Sequence, residues 1–168
     1  STWKTTGTTN MEDMFGNMSS LKSIDLSNFD MNGVTNMAEM FSQCWSLEQI
    51  DISNWNMSNV TNMNFMFCHC DSLQELNVSD WDVSNIVMIS GMFKYCGSLQ
   101  QLDVSHWDVS NVTNMAGMFC NCESLQQLDV SNWDVSNVTD MNRMFYECDS
   151  LQRENLPEWA LQKKCWYC

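Results

Sequence analysis

Two histidines, nine cysteines and twenty-one acidic residues are the groups in this chain whose types could do chemistry. Nucleophilic catalysis needs a base held beside the nucleophile, and general acid–base work needs carboxylates in unlike surroundings. His69 and His106 stand at unrelated positions of the pattern described next, so the chain reads as non-enzymatic. Cys68, His69 and Cys70 place soft ligands in one short stretch, a set that could hold a metal together with Cys44 and Cys96. The spacing matches no zinc framework, however, and Cys70 belongs to a column that recurs without histidine. Met-x-x-Met pairs suit copper(I) in type, yet they recur beside an equally regular Phe, as core packing requires. Asp25, Asp51, Asp103 and Asp129 share one position, and Asp30, Asp82, Asp108 and Asp134 another five residues later. Stacked like charges cost about 1 kcal/mol per exposed pair in water. Two readings offset that cost. Either the side chains accept backbone amides in turns, or calcium sits between successive units on Asp103, Asp108, Asp129 and Asp134. No other cofactor is expected.

A repeat positions these groups. Phe15, Phe41, Phe67, Phe93, Phe119 and Phe145 recur at one constant interval, and self-similarity at a fixed period marks stacked repeats. The frames run 10–35, 36–61, 62–87, 88–113, 114–139 and 140–165 without insertion or deletion. Residues 1–9 are left as a candidate cap containing Trp3, and 166–168 as a tail. Met14, Met40, Met66, Met92, Met118 and Met144 form a column, Met11, Met37, Met63, Met115 and Met141 another, and Leu21 through Leu151 a third. Phe29 is followed in its column by Trp55, Trp81, Trp107, Trp133 and Trp159.

Within a unit, Leu102 and Val104 flank Asp103 with the period-two pattern of a short strand. The Ser-, Asn- and Asp-rich stretch 105–111 then reads as a corner. Thr113 or Asn114 precedes Met115, Met118 and Phe119, whose spacing predicts one or two turns of capped helix. A unit this small cannot bury its own apolar edge, so the columns must stack. The expected fold is α/β, a right-handed solenoid of six coils, each with one short parallel strand and one short helix. At a strand spacing of about 4.8 Å it is a rod roughly 29 Å long.

The run Leu-x-x-Leu-Asp-Val-Ser-Asn is similar to the strand segment of leucine-rich repeats. With Met-Phe-x-x-Cys before it and Trp-Asp-Val-Ser-Asn-Val-Thr-Asn after it, as in 118–140, the unit closely resembles the 26-residue repeat of BspA-like leucine-rich-repeat surface proteins. The resemblance implies a leucine-rich-repeat coil, a surface location and non-enzymatic adhesion, and supplies no set of binding residues. The chain departs from that pattern in lacking an anchoring motif and in adding Cys68, Cys120, Cys165 and Cys168.

Cys44, Cys70, Cys96, Cys122 and Cys148 form a ladder one coil apart, a distance that a disulfide tolerates. Stacked Cβ atoms point in parallel, which suits buried thiols better. Nine is odd, so at least one cysteine is free or joined to another chain; Cys165 and Cys168 are the candidate pair, with closure onto Cys148 the other option. Sequons at Asn17, Asn56, Asn59, Asn77, Asn111 and Asn137 are candidate glycan sites in a secreted eukaryotic protein and good corners otherwise.

The chain's 168 residues, 44% hydrophobic and 17% charged, suffice for one buried core. Its net charge of −14 argues against nucleic acid and anionic membranes, which are held through Lys and Arg. No stretch reaches the roughly 18 apolar residues of a membrane span. The chain is expected to be soluble, and its start at Ser1 suggests a processed protein or a fragment. The partner expected is a protein or glycan on another surface, met extracellularly by the face carrying Asp25, Asp51, Asp103, Asp129, Gln100, Gln101, Gln126 and Gln127. The alternative is a filament or sheath subunit whose partner is another copy, joined through solenoid ends. Glu154 and Pro157 break the strand columns and read as a stop at the carboxyl end.

Overall fold

A computed structural model describes residues 5–167. The chain meets itself in parallel, each position lying beside its equivalent in the next repeat. Strands β1 (Ser23–Ile24) and β2 (Gln49–Ile50) pair with Ser23 opposite Gln49 and Ile24 opposite Ile50. The row continues as single bridges from Glu75 to Gln101 and from Gln101 to Gln127. A second row runs through Asn10, Asn36, Asn62, Met88, Asn114 and Asp140. The sheet is thus shorter than the strand pattern implies, because Asp or Asn turns the chain one residue beyond the β1–β2 pair and two beyond each bridge of this row.

Among the described residues, the short helix expected in each unit is absent. In the second repeat, the N–H groups of Met37, Glu39, Phe41 and Gln43 donate to the carbonyls of Asn62, Asn64, Met66 and Cys68 in the third, at 2.7 to 2.9 Å. Between them, Met40, Ser42 and Cys44 donate three residues back, to Met37, Glu39 and Phe41. Glu39 and Gln43 have φ of 57° and 61°, and the equivalent positions are left-handed in the other repeats also. A helix would spend its N–H groups four residues back. Here alternate groups are turned outward and bond the next repeat, so the Met-x-x-Met-Phe spacing comes from successive tight turns. Each left-handed non-glycine residue costs on the order of 1–2 kcal/mol. Burial of the Met and Phe side chains that these turns point inward, about 1.5–3 kcal/mol each, offsets it. The helix cap expected at Asn114 survives as an isolated turn: its Oδ1 accepts the Ala116 N–H at 2.8 Å.

The apolar columns form one core. The Phe column stacks ring on ring with centroids 5.4 to 5.9 Å apart, from Phe15 to Phe145. The Met-x-x-Met pairs are buried beside it except for exposed Met14 in the first repeat. At the carboxyl end, 3-10 turns Arg153–Asn155 and Glu158–Leu161 replace the strand, and α1 (Lys163–Trp166) follows. The carbonyls of Lys164 and Cys165 accept the N–H groups of Arg143 and Phe145 at 2.7 and 2.8 Å, where a further repeat would accept them. Trp166 covers Phe145 at 5.3 Å and lies under the Arg153 guanidinium at 3.7 Å. At the other end, buried Thr5 exchanges hydrogen bonds with the Asp30 backbone: its Oγ1 donates to the carbonyl and accepts the N–H. Trp3, in the candidate cap, lies outside the described residues.

Candidate functional site: the polar strand face

The strand row presents its polar columns outward and its apolar columns to the core, as the period of two requires. Asp25, Asp51, Gln100, Gln101, Asp103, Gln126, Gln127 and Asp129 are all exposed. Asp25, Asp51, Gln100, Gln101 and Asp103 line one shallow hollow of about 880 Å³ that spans four repeats, together with Glu75 and the edges of Ile24 and Ile50. Gln127 and Asp129 line a separate hollow of about 340 Å³ next to it. Gln126 lines neither; its N–H donates to the Gln100 carbonyl at 3.2 Å. None of the residues lining the larger hollow is basic, so the face is acidic and open. Lys22 pairs with Glu48 at 2.9 Å beside it, an exposed contact worth little to stability.

Each Asp of this face also shapes the backbone. The carboxylates of Asp25, Asp51, Asp103 and Asp129 accept the N–H of the residue two positions on, at 3.0 to 3.2 Å. Asn77 does the same for Ser79. Ser53, Ser105 and Ser131 add their hydroxyls, at 2.7 to 2.8 Å. The sequence reading places these serines in the corner; that their hydroxyls bond the Asp two residues back was signalled only by Asp-x-Ser recurring along the chain. Hydrogen bonds from the serine hydroxyl, and then from its N–H, hold Asp25, Asp51, Asp82, Asp103 and Asp129 below the usual carboxylate range. For Asp134 the Ser136 N–H is the larger cause.

The second acidic column behaves alike: Asp30, Asn56, Asp82, Asp108 and Asp134 each accept an N–H two residues on. Among the described residues, no three His, Cys, Asp or Glu side chains gather as a metal site, whether at Asp103, Asp108, Asp129 and Asp134 or around His69. His69 instead stacks on Tyr95 with centroids 4.2 Å apart. The ladder cysteines are buried free thiols, and each donates to a Phe carbonyl of the preceding repeat at 2.9 to 3.3 Å, from Cys44 on Phe15 to Cys148 on Phe119. Burial pushes the Cys148 thiol up to about 12 and that of Cys68 to about 11. Cys165 is a buried free thiol, and its expected partner Cys168 lies outside the described residues. Of the sequon residues, Asn111 and Asn137 spend their amides on the carbonyls of Ser84 and Ser110 at 2.8 and 2.7 Å, and Asn56 and Asn77 serve as turn acceptors. Asn17 and Asn59 are exposed.

No curated protein matches the chain. Among solved structures, it is similar to a leucine-rich cell surface protein of Faecalibacterium prausnitzii, with 21% identity over 72% of this chain and a TM-score of 0.43. The chain spans only 36% of that protein's length. It is also similar to a leucine-rich-repeat protein of T. pallidum, with 19% identity, 86% of this chain and 71% of that one covered, and a TM-score of 0.43. The second is named a leucine-rich-repeat protein, the class that the repeat pattern resembles. A family model matches residues 1–79 and 68–165, so the chain belongs to the family described as "Mycoplasma protein of unknown function, DUF285".

Proposed function

We propose that the chain is a non-catalytic, cell-surface or secreted scaffold, a right-handed solenoid of six coils that adheres to a protein or glycan on another surface through its strand face. The observation that carries this reading is the exposed row of Gln and Asp side chains held in constant register over successive repeats. Periodic, rigid presentation suits recognition spread over many residues better than chemistry at one point. The acidic lining favours partners that present Lys, Arg or hydroxyl groups. A filament subunit is the weaker reading, because head-to-tail growth needs both ends open and α1 occupies the acceptor positions beyond Arg143 and Phe145.

The test is capture of matrix proteins and of cells by the immobilised chain. It is compared with a variant carrying Gln100→Ala, Gln101→Ala, Asp103→Asn, Gln126→Ala, Gln127→Ala and Asp129→Asn. Asn keeps the turns, as Asn77 does in this chain. Loss of capture supports the strand face, and undiminished capture by a folded variant refutes it.

A further inference from the structure

The tight-turn segment carries another hollow, of about 550 Å³, that shares no residue with the strand face. It is lined by four aromatic rings, Phe65, Tyr95, Tyr146 and Tyr167, and by Lys94 and Arg143. All three tyrosines of the chain and two of its seven cations are therefore in one place. None of the lining residues is acidic, in a chain with 21 acidic residues.

The turn geometry does not dictate these side chains, since its left-handed positions also hold Asp13, Glu39 and Gln43 in other repeats. Phe65, Tyr95 and Arg143 occupy left-handed positions, with φ of 55°, 64° and 57°. Gly or Asn fills such positions at lower cost, as Gly91, Gly117, Asn17 and Asn121 do in other repeats. Tyr95 is fixed by the His69 ring stacked on it and by the Lys94 ammonium 5.2 Å from its centroid. At Gly91 the Phe65 ring fills the space a side chain would need, since a Cβ there would lie 2.3 Å from it. At Gly117 a Cβ would make only ordinary contacts, with Cys120 Cβ at 3.7 Å and Lys94 Cδ at 4.0 Å.

A matching ligand has a flat apolar face for the rings and a negative charge for Lys94 and Arg143. The volume falls in the range of small-molecule sites, about 300–1,000 Å³. A long polyanion is disfavoured by the −14 net charge of the whole chain, whereas a single carboxylate meets the local cations. A pyranose offers its C–H face to tyrosine and its hydroxyls to the Asn142 amide, and a carboxylate is matched by the guanidinium fork. We propose that this hollow binds a carboxylated saccharide of one or two rings, with the sugar face on the tyrosines and the carboxylate on Lys94 and Arg143.

The experiment is titration of the whole chain with D-glucuronate, methyl glucoside and AMP, followed by NMR. It is repeated on Gly117→Asn, which adds a side chain to the lining of the hollow in a backbone conformation Asn tolerates, and on Arg143→Asn, which keeps the left-handed turn. Saturable glucuronate binding is expected, at least tenfold weaker for methyl glucoside, for AMP and for both variants, whose melting temperatures stay within a few degrees of the parent. The Asp103→Asn variant, altered on the strand face, binds glucuronate like the parent. The proposal is overturned by absent glucuronate binding, by equal or tighter binding of methyl glucoside or AMP, by variants that bind as the parent does, or by loss in Asp103→Asn as well.

Discussion

Four tryptophans of one column give a controlled measurement of a single buried hydrogen bond. Trp81, Trp107 and Trp133 donate their indole N–H to the carbonyls of Ile52, Val78 and Val104 at 3.0 to 3.1 Å. Trp55, equally buried, has an indole nitrogen without a hydrogen-bond partner. Replacing any of the four by Phe removes the same atoms and opens a comparable space, so that cost is common to the set. At Trp107 the change also deletes a bond worth about 1 kcal/mol, although the Val78 carbonyl keeps the Trp81 N–H at 3.2 Å. At Trp55 it relieves a desolvated donor, a gain of similar size, and the preceding member of the column is already Phe29. Trp107→Phe is therefore expected to be more destabilising than Trp55→Phe by roughly 2 kcal/mol, or about 4–8 °C in melting temperature for a chain of this size. Urea denaturation with an unchanged m-value reads the difference. Trp133→Phe guards against an end effect, since Trp133 is near the opposite end yet keeps its bond. Equal losses at Trp55 and Trp107, or a small loss at Trp133 matching that at Trp55, would refute the reasoning.

The thiols give a pH prediction: burial raises Cys44, Cys68, Cys70, Cys96, Cys122, Cys148 and Cys165 in the folded state. Stability from them is full below the unfolded thiol value near 9 and is lost as pH rises above it, so alkaline melting steepens beyond pH about 9, and a Cys96→Ala, Cys122→Ala variant melts with a shallower slope. At pH 8, alkylation of native protein spares the ladder and alkylation in denaturant does not; rapid labelling of Cys96 in the folded chain contradicts this. The lowered Asp103 and Asp129 carboxylates work oppositely, contributing above the unfolded carboxylate value near 4 and losing that contribution as pH falls through their lower folded values. Asp103→Ala costs about 1 kcal/mol, the worth of a lost side-chain cap, while Asp103→Asn keeps the turn and melts close to the parent. With their Oδ1 atoms engaged in turns, Asp103, Asp108, Asp129 and Asp134 are expected to leave the melting temperature unmoved between chelator and millimolar calcium, and a rise with calcium would show that the ion is held between repeats.

The period was legible because each Phe, Leu, Met and Trp must meet its own kind one repeat on, and a ladder of identical contacts leaves identical letters. The turns were legible for a similar reason: Asp25, Asp30 and Asn36 each offer a short oxygen to the N–H two residues ahead, and the composition follows. The Met-Phe segment was misread because a spacing of three and four is shared by a helix and by successive tight turns. What separates the two is whether alternate N–H groups point along the chain or across to the next repeat, and that is set by stacking. The left-handed residues include Glu39, Gln43 and Arg143, which carry no local preference for that backbone. Gly91 and Gly117 in one column, with Asn17 and Asn121 in the other, were the local signs. The strand face was readable as an alternation, but its second hollow, bordered by Leu128 and by Asn155 of the carboxyl-terminal turn, was not.

The aromatic hollow was hidden for the opposite reason, and this bears on where function sits in a repeat protein. Columns that hold the stack must repeat, so their members announce themselves and have little freedom to recognise anything. Positions that vary from repeat to repeat are released from that duty. At the left-handed site of the tight-turn segment the chain places Asp13, Glu39, Phe65, Gly91, Gly117 and Arg143 in turn, and four residues later Asn17, Gln43, His69, Tyr95, Asn121 and Glu147. A bare glycine between a ring and a cation makes a recess without altering the register of any repeat, since the cross-repeat bonds come from the backbone. The strand face offers the other kind of surface, one motif presented several times over, suited to a partner that is itself extended. One stack thus provides a broad periodic face and a local irregular one, and changes at Asp103 or Gln101 are separable from changes at Gly117 or Arg143 because the two faces share scaffold and no side chain.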